Sequence, residues 1–259
     1  MSQIAEIKTV LFDLGYTLVF FDGDFAQKTS ESYTVLARVL NREGCHLDVV
    51  RFSERFQDLI TQYYQDREKD LIERPVEDLV RKALKEAGQD HVPAEKIRLA
   101  MDEMYAITEQ QWKIENDSHS TLKELINRGF HLGVVSNAAD AVDVSRIIDQ
   151  HKLRDYFEVI IVSADFGIRK PDHRLFKIAL QRMHAKPQSA VMVGDNLRSD
   201  ILGAHRAGMR AIWITRRSDD PHNAQLRSSI TPDAEVSSLE EVPLLLDQWN
   251  QSLTRAGKA

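Results

Sequence analysis

The chain has 259 residues, a formal charge of −6, 42% hydrophobic and 29% charged residues, and one cysteine. That length suits one large domain or a core domain carrying an insertion, and the composition is that of a globular chain without a membrane span or low-complexity tract. The acidic balance, with no basic stretch interleaved with aromatics, argues against nucleic acid as principal partner. The lone Cys45 excludes an internal disulfide and reads as a small core residue, and with no apolar leader the expected compartment is the cytoplasm.

The first predicted strand, roughly Ile7 to Phe12, is apolar on both faces and ends at Asp13 in the stretch LFDLGYTLV. A strand sandwiched in this way meets solvent or ligand at its first charged residue, and in an open α/β sheet that edge is where sites form. The polar segment FDGD follows at 21–24, and then a region without strand patterning. Val35, Leu36, Val39 and Leu40 make one apolar stripe at helical spacing. Phe52, Phe56, Leu59, Ile60, Tyr63 and Tyr64 make a second, read as helix packing. Pro75 and Pro93 open two more helices, PVEDLVRKALKEAG and PAEKIRLAMDEMYAITEQQW, where a first turn tolerates proline. From about Ser118 the texture changes. The helix TLKELINRG, closed by Gly129, precedes the strand FHLGVVSN and the helix AVDVSRIIDQHKL. Strands at EVIIVS, SAVMVGD and MRAIWIT follow, separated by helices at HRLFKIALQRM and SDILGAHRAG, with a short last strand at AEVS. This alternation predicts an α/β, Rossmann-like fold with a doubly wound parallel sheet. Parallel connections normally return within a dozen or so residues, so 24–112 is expected to be an inserted all-helical subdomain, with 1–23 and 113–259 forming the core.

Polar residues gather at the predicted carboxyl ends of the strands: Asp13 after the first, Ser136 and Asn137 closing FHLGVVSN, Lys170 in FGIRKPD, and Asp195 and Asp200 in VMVGDNLRSD. In a parallel sheet these ends share one side, so residues far apart in sequence meet at one crevice. Three carboxylates brought together raise one another's pKa unless cations are present. Lys170 would neutralise Asp13 and an incoming anion. Magnesium, which takes few carboxylates and keeps waters for substrate oxygens, suits Asp13, Asp195 and Asp200 better than zinc. The hydroxyls of Thr17 and Ser136, with backbone N–H groups, can hold anionic oxygens. A carboxylate nucleophile is one route for phosphoryl transfer, through an aspartyl-phosphate, and Asp13 is the candidate. Each residue also has a plainer role: Asn137 as a strand terminator, Asp172 as the cap of the helix after Pro171, Lys170 as a solvated surface residue, VGDN as a turn.

LFDLGYT, VVSN, GIRKPD and GDNLRSD, in this order, resemble the four motifs of the haloacid dehalogenase-like hydrolase superfamily, over a core from Ile7 to Trp213. The resemblance implies a Rossmann-like core, a magnesium ion, an aspartyl intermediate and a mobile helical cap over the site. It implies catalytic roles for Asp13 and Lys170, with Asp13 the nucleophile. Metal contacts would come from Asp13, the Gly15 carbonyl, Asp195 and, in support, Asp200. Substrate would be held by Thr17, Ser136, Asn137 and Lys170. The implied activity is hydrolysis of a small phosphorylated metabolite. One alternative is a metal-independent carbon–halogen hydrolase, whose pattern carries an aromatic where Gly15 stands and serine–asparagine in place of the glycine–aspartate of the fourth motif. Another is a binding or regulatory member that has lost turnover, because the phosphatase pattern has its general acid and base, a second Asp, at the position of Gly15. Asp22 and Asp24 could reach in as substitutes, although solvent-facing turn residues are the simpler reading. Arg216 and Arg217 could touch substrate or form a solvated pair. Substrate identity and oligomeric state are not specified by these motifs.

Overall fold

The computed structural model describes residues 5–217 and 221–256. Strand β1 (Thr9–Phe12) is buried along its whole length. It pairs in parallel with β4 (His131–Ser136) on one side and β6 (Ala190–Gly194) on the other. With β5 (Val159–Val162), β7 (Arg210–Ile214) and β8 (Ala234–Val236) it forms a six-stranded parallel sheet in the order β5-β4-β1-β6-β7-β8. The chain winds outward through β4 and β5, then crosses back to β6 on the far side of β1. The loops after β1, β4 and β6 therefore converge at the switch point, where open α/β sheets form their crevices.

Successive residues of β1 feed opposite apolar layers. Val10 and Phe12 join Leu122, Val134, Ile148 and Ile212, whereas Leu11 joins Val135, Phe176, Met192 and Trp213. Helices α5 (Ser118–Asn127), α6 (Ala141–Gln150) and α7 (His173–Arg182) cover the sheet. Gly129, at φ 83°, closes α5 in the left-handed conformation expected of a terminating glycine. The helix predicted over SDILGAHRAG begins instead as a π-helical stretch, Leu197–Leu202, that runs into the short α8 (Gly203–Arg206). Two more helices follow, α9 (Pro221–Leu226) and α10 (Val242–Ala256), of which α10 lay outside the sequence expectation.

Between β1 and β4 lie α1 (Phe25–Arg42), α2 (Val49–Asp70), α3 (Val76–Glu86) and α4 (Ala94–Glu109). They pack round a core of their own that includes Leu36, Phe56, Val80, Leu84, Ile97 and Met101, with Cys45 buried beside them. Asp24 and Asp48 cap α1 and α2 by accepting from the Gln27 and Arg51 amides, and Pro75 and Pro93 immediately precede α3 and α4. The helix read through to Trp112 stops at Glu109. Residues Trp112–Ile114 instead form β3, antiparallel to β2 (Val19–Phe21), and this ribbon links the helical unit to the sheet. Three-residue strands are too short for alternation to register in sequence. Among the described residues, no helix is long and apolar enough to cross a membrane.

Candidate active site

Lys170 is the centre of the strand-end cluster. Only 2% exposed, its Nζ donates to Asp13 Oδ1 at 2.6 Å and to Asp200 Oδ1 at 2.7 Å. It is not a solvated surface residue. Carboxylate oxygens of Asp13, Asp195 and Asp200 lie within 4.8 Å of one another. Burial, with Asp200 nearby, pushes the Asp13 carboxyl up to about 6 against the opposing pull of Lys170. Asp195 is raised well above the usual range by burial and then by Asp13 and Asp200. Burial alone would depress the Lys170 ammonium, yet Asp13 and Asp200 hold it above the ordinary lysine value. Asp200 is fully buried, and its second oxygen accepts from the Asn196 amide at 3.0 Å, a bond that the wide π-helical turn makes reachable. This packing explains the glycine before Asp195: a Cβ on Gly194 would meet the Asp200 carboxyl at 2.4 Å.

Asn137 clasps the Lys170 main chain from both sides. Its Oδ1 accepts from the Lys170 N–H at 2.8 Å, and its Nδ2 donates to the Lys170 carbonyl at 3.0 Å. The peptide bond that follows, Lys170–Pro171, is cis. Ser136 ends β4, and Asp172 caps α7 by accepting from the Arg174 amide.

A cavity of about 520 Å³ opens over this cluster. Asp13, Gly15, Ser136, Asn137, Lys170 and Asp195 line its polar end, while Tyr33, Phe56, Ile60, Tyr64, Met104 and Tyr105 line the part made by the helical unit. Thr17 departs from the sequence expectation. It is fully buried and is not among the described residues that line the cavity, because the chain reverses at Tyr16, whose φ is 58°. Tyr16 faces the cavity, and Thr17 packs inward with its carbonyl accepting from Arg216 at 2.8 Å. Asp22 and Asp24 are exposed and, like Thr17, outside the described lining residues. The arginines after β7 are neither lining residues nor a solvated pair. Arg216 donates to both Asp117 oxygens at 2.6 Å, and Arg217 pairs with Glu115 and lies 3.8 Å over the Phe20 ring.

The aromatic walls escaped sequence reasoning. Phe56, Ile60 and Tyr64 follow the helical spacing assigned to packing, and a residue can pack and line a cavity with the same spacing. Arg169, next to Lys170, and Arg198 also line the cavity; their ion pairs to Glu68 depend on how α2 meets the sheet, which no local pattern encodes.

The family described as haloacid dehalogenase-like hydrolase matches residues 47–214, more than half of the chain. Among curated proteins, phosphoserine phosphatase of Thermus thermophilus is 33% identical over 168 residues, covering 64% of this chain and 63% of that protein. Glyceraldehyde 3-phosphate phosphatase of Methanothermobacter thermautotrophicus is 33% identical over 126 residues, covering 48% and 55%. The chain thus spans between about half and just under two thirds of the length of these relatives. Among solved structures, 2-haloacid dehalogenase from Pseudomonas syringae superposes with a TM-score of 0.65 at 28% identity, over 94% of this chain and 99% of that one. With the parallel sheet, the helical unit between β1 and β4, and the four motifs meeting round Lys170, the chain belongs to the haloacid dehalogenase-like hydrolase family.

Proposed function

We propose that the protein is a magnesium-dependent phosphomonoesterase that uses Asp13 as nucleophile. The observation that carries this is the charge balance at the strand ends, where three carboxylates surround one ammonium. Two negative charges remain for a divalent cation to balance. Oxygens round one magnesium sit roughly 3–4 Å apart, so carboxylates already within 4.8 Å need little movement, and an all-oxygen set suits that hard ion. Asp13, Asp195 and Asp200 would hold it, with the Gly15 carbonyl. When bound, it would screen the nucleophile from the phosphoryl group and balance transition-state charge.

The remaining steps belong to side chains of this protein. Lys170 fixes Asp13 and offers positive charge to arriving phosphate oxygens, and the Ser136 hydroxyl at the end of β4 donates to the same oxygens. The Asp13 carboxylate attacks phosphorus as the ester P–O bond breaks, the leaving oxygen takes its proton from solvent, and water then hydrolyses the aspartyl-phosphate to inorganic phosphate and free Asp13. The aromatic walls, with Arg169 and Arg198 also lining the cavity, favour an ester whose organic half offers an apolar or aromatic face beside polar groups. Residues 24–112 act as the lid in this scheme, because they supply those walls and could exclude water on closing. The two phosphatases among the relatives favour the same chemistry. The Pseudomonas syringae structure favours the second possibility, carbon–halogen hydrolysis, against which stand Gly15 and the Gly194–Asp195 pair.

One experiment separates them. With magnesium, wild type should hydrolyse aryl phosphates, and Asp13→Asn should lose about 10⁴-fold or more in turnover. An Asp13→Asn variant that keeps wild-type turnover rules out the covalent route. Release of halide from a 2-haloacid in EDTA, with no phosphatase activity, selects the dehalogenase.

A further inference from the structure

The loop between α2 and α3 carries a carboxylate into the sheet domain. Glu73 is only 2% exposed, and a buried carboxylate must find partners. Those of Glu73 come from both sides of the junction. From the helical unit, Tyr63 donates its phenol to Oε1, and Arg67 approaches the same oxygen at 3.6 Å. From the sheet domain, the Ser163 hydroxyl donates to Oε2 at 2.8 Å, and Arg169 lies 3.7 Å away.

Each of the latter two partners leads to the active site. Ser163 Oγ accepts from the Ala138 amide at 2.9 Å, one residue beyond Asn137. Arg169 immediately precedes Lys170, whose main chain Asn137 clasps. Backbone bonds brace the same junction: the Glu73 N–H to the Gly167 carbonyl (3.2 Å), the Arg169 N–H to the Leu71 carbonyl (3.2 Å), and the Val76 N–H to the Ala139 carbonyl (3.0 Å).

We propose that Glu73 is a positioning residue of the active site. By holding Ser163 and Arg169 together it sets the spacing between the loop bearing Ser136 and Asn137 and the segment bearing Lys170. Because Glu73 belongs to the helical unit, the phosphate-binding side of the site is complete only when that unit is docked. The kinetic part rests on the phosphatase function proposed above; the positioning itself does not. The chemistry suits the role. Burial, then Glu73 itself, pushes the Tyr63 phenol up to about 12, so it remains a donor. Arg169 is held below its ordinary value by burial and by Arg67, and without the carboxylate these two guanidinium groups would repel across the junction.

The test compares Glu73→Ala, Glu73→Gln and Tyr63→Phe in the full chain, with an aryl phosphate and magnesium. Glu73→Ala should lower kcat by about 10–100-fold and weaken inhibition by inorganic phosphate about tenfold, as small displacements of catalytic groups do. Glu73→Gln, which keeps an acceptor for Ser163, should recover roughly half of that loss on a logarithmic scale. Tyr63→Phe should lower melting temperature while leaving kcat within about twofold, because it spares both links to the active-site loops. Native-state hydrogen exchange gives a readout independent of turnover: the Ala138 and Lys170 amides should exchange about tenfold faster in Glu73→Ala, with the amides of β4 unchanged. If Glu73→Ala does not fold, Glu73→Gln carries the same comparison at smaller amplitude. Unchanged exchange at both amides, or kinetic loss in proportion to lost stability across all three variants, overturns the proposal. Faster exchange in a protein that hydrolyses no phosphomonoester sustains the positioning and discards the phosphatase function instead.

Discussion

Carboxyl groups crowd at two places along the same cavity. At the strand ends Asp13, Asp195 and Asp200 gather about a buried lysine that donates to two of them. At the seam between α4 and α6, Asp143 meets Glu109, with Arg146 3.6 Å from Glu109 and 2.9 Å from Asp102. Burial, then neighbouring carboxyls, raises Asp143 well above the usual range, and burial raises Glu109. What differs is the agent of compensation. In the first cluster it is a fixed ammonium, which donates to two of the carboxylates and opposes the rise that burial gives Asp13. In the second it is a proton. Asp143 Oδ1 and Glu109 Oε1 have no hydrogen-bond donor within 3.5 Å among the described residues, Arg146 standing 3.6 Å from Oε1, and one shared proton would satisfy both. The same crowding is thus met by an enclosed lysine at the strand ends and by a proton between the two helices.

Removing the fixed cation should have the largest effect. Lys170→Met keeps an unbranched side chain one atom shorter and leaves Asp13 and Asp200 without their common donor. Turnover should fall about 10²–10³-fold or more. Breaking a buried charge cluster should also destabilise the fold by roughly 3–5 kcal/mol. Magnesium, by supplying positive charge at the same place, should raise the melting temperature of Lys170→Met more than that of wild type. Equal magnesium shifts in the two proteins would mean that lysine and ion do not share these carboxylates.

Adding a carboxylate to the first cluster is the next largest change. A Cβ on Gly15 would meet only Trp112 Cη2 at 3.5 Å and Cζ3 at 3.7 Å, ordinary contacts. The left-handed residue here is Tyr16, so Gly15→Asp should fold. If Gly15 marks an absent general acid, wild type should prefer aryl and acyl phosphates, whose leaving groups need little protonation, over alkyl phosphates. Gly15→Asp should then accelerate alkyl esters about 10–100-fold, part of the ~10²–10⁴ that general acid–base assistance supplies, with little gain on aryl esters. Equal wild-type rates on both classes, with chemistry rate-limiting, would place the proton donor elsewhere.

The first cluster was legible in the sequence and the second was not, for a topological reason. A parallel sheet sends every strand's carboxyl end to one side, so Asp13, Ser136, Lys170 and Asp195 could be brought together on paper from the strand–helix alternation. Asn137 was found by the same route, although its role as a clasp on Lys170 needed coordinates. Thr17 failed because one left-handed residue at Tyr16 decides which way the next side chain points. Asp143 and Glu109 read as ordinary polar positions on amphipathic helices, and they meet only because α4 docks on α6. Glu73 gave no signal for the same reason: its partners lie 90 and 96 residues further along the chain, at Ser163 and Arg169.

The second cluster predicts the smallest effect and one with a definite sign. In the folded protein the Asp143–Glu109 pair keeps a proton that an unfolded chain would release at about pH 4. Folding therefore takes up a proton above that pH, and stability falls as pH rises from the unfolded value through the raised folded one. The charges facing the pair are those of Arg98, Arg146, Asp102 and Asp140, with Tyr105 beside them. All four charges remain in Asp143→Asn. That substitution replaces the shared proton with an amide N–H that needs none from solvent, and it leaves Glu109 free to ionise against Arg146. At pH 8 Asp143→Asn should melt about 2–4 °C above wild type, on the order of 1 kcal/mol for a chain of this size. The gap should shrink on acidification and close near pH 4, where wild type carries its proton in both states. Melting curves across that range decide the matter: a difference that does not change with pH would show that the pair holds no shared proton.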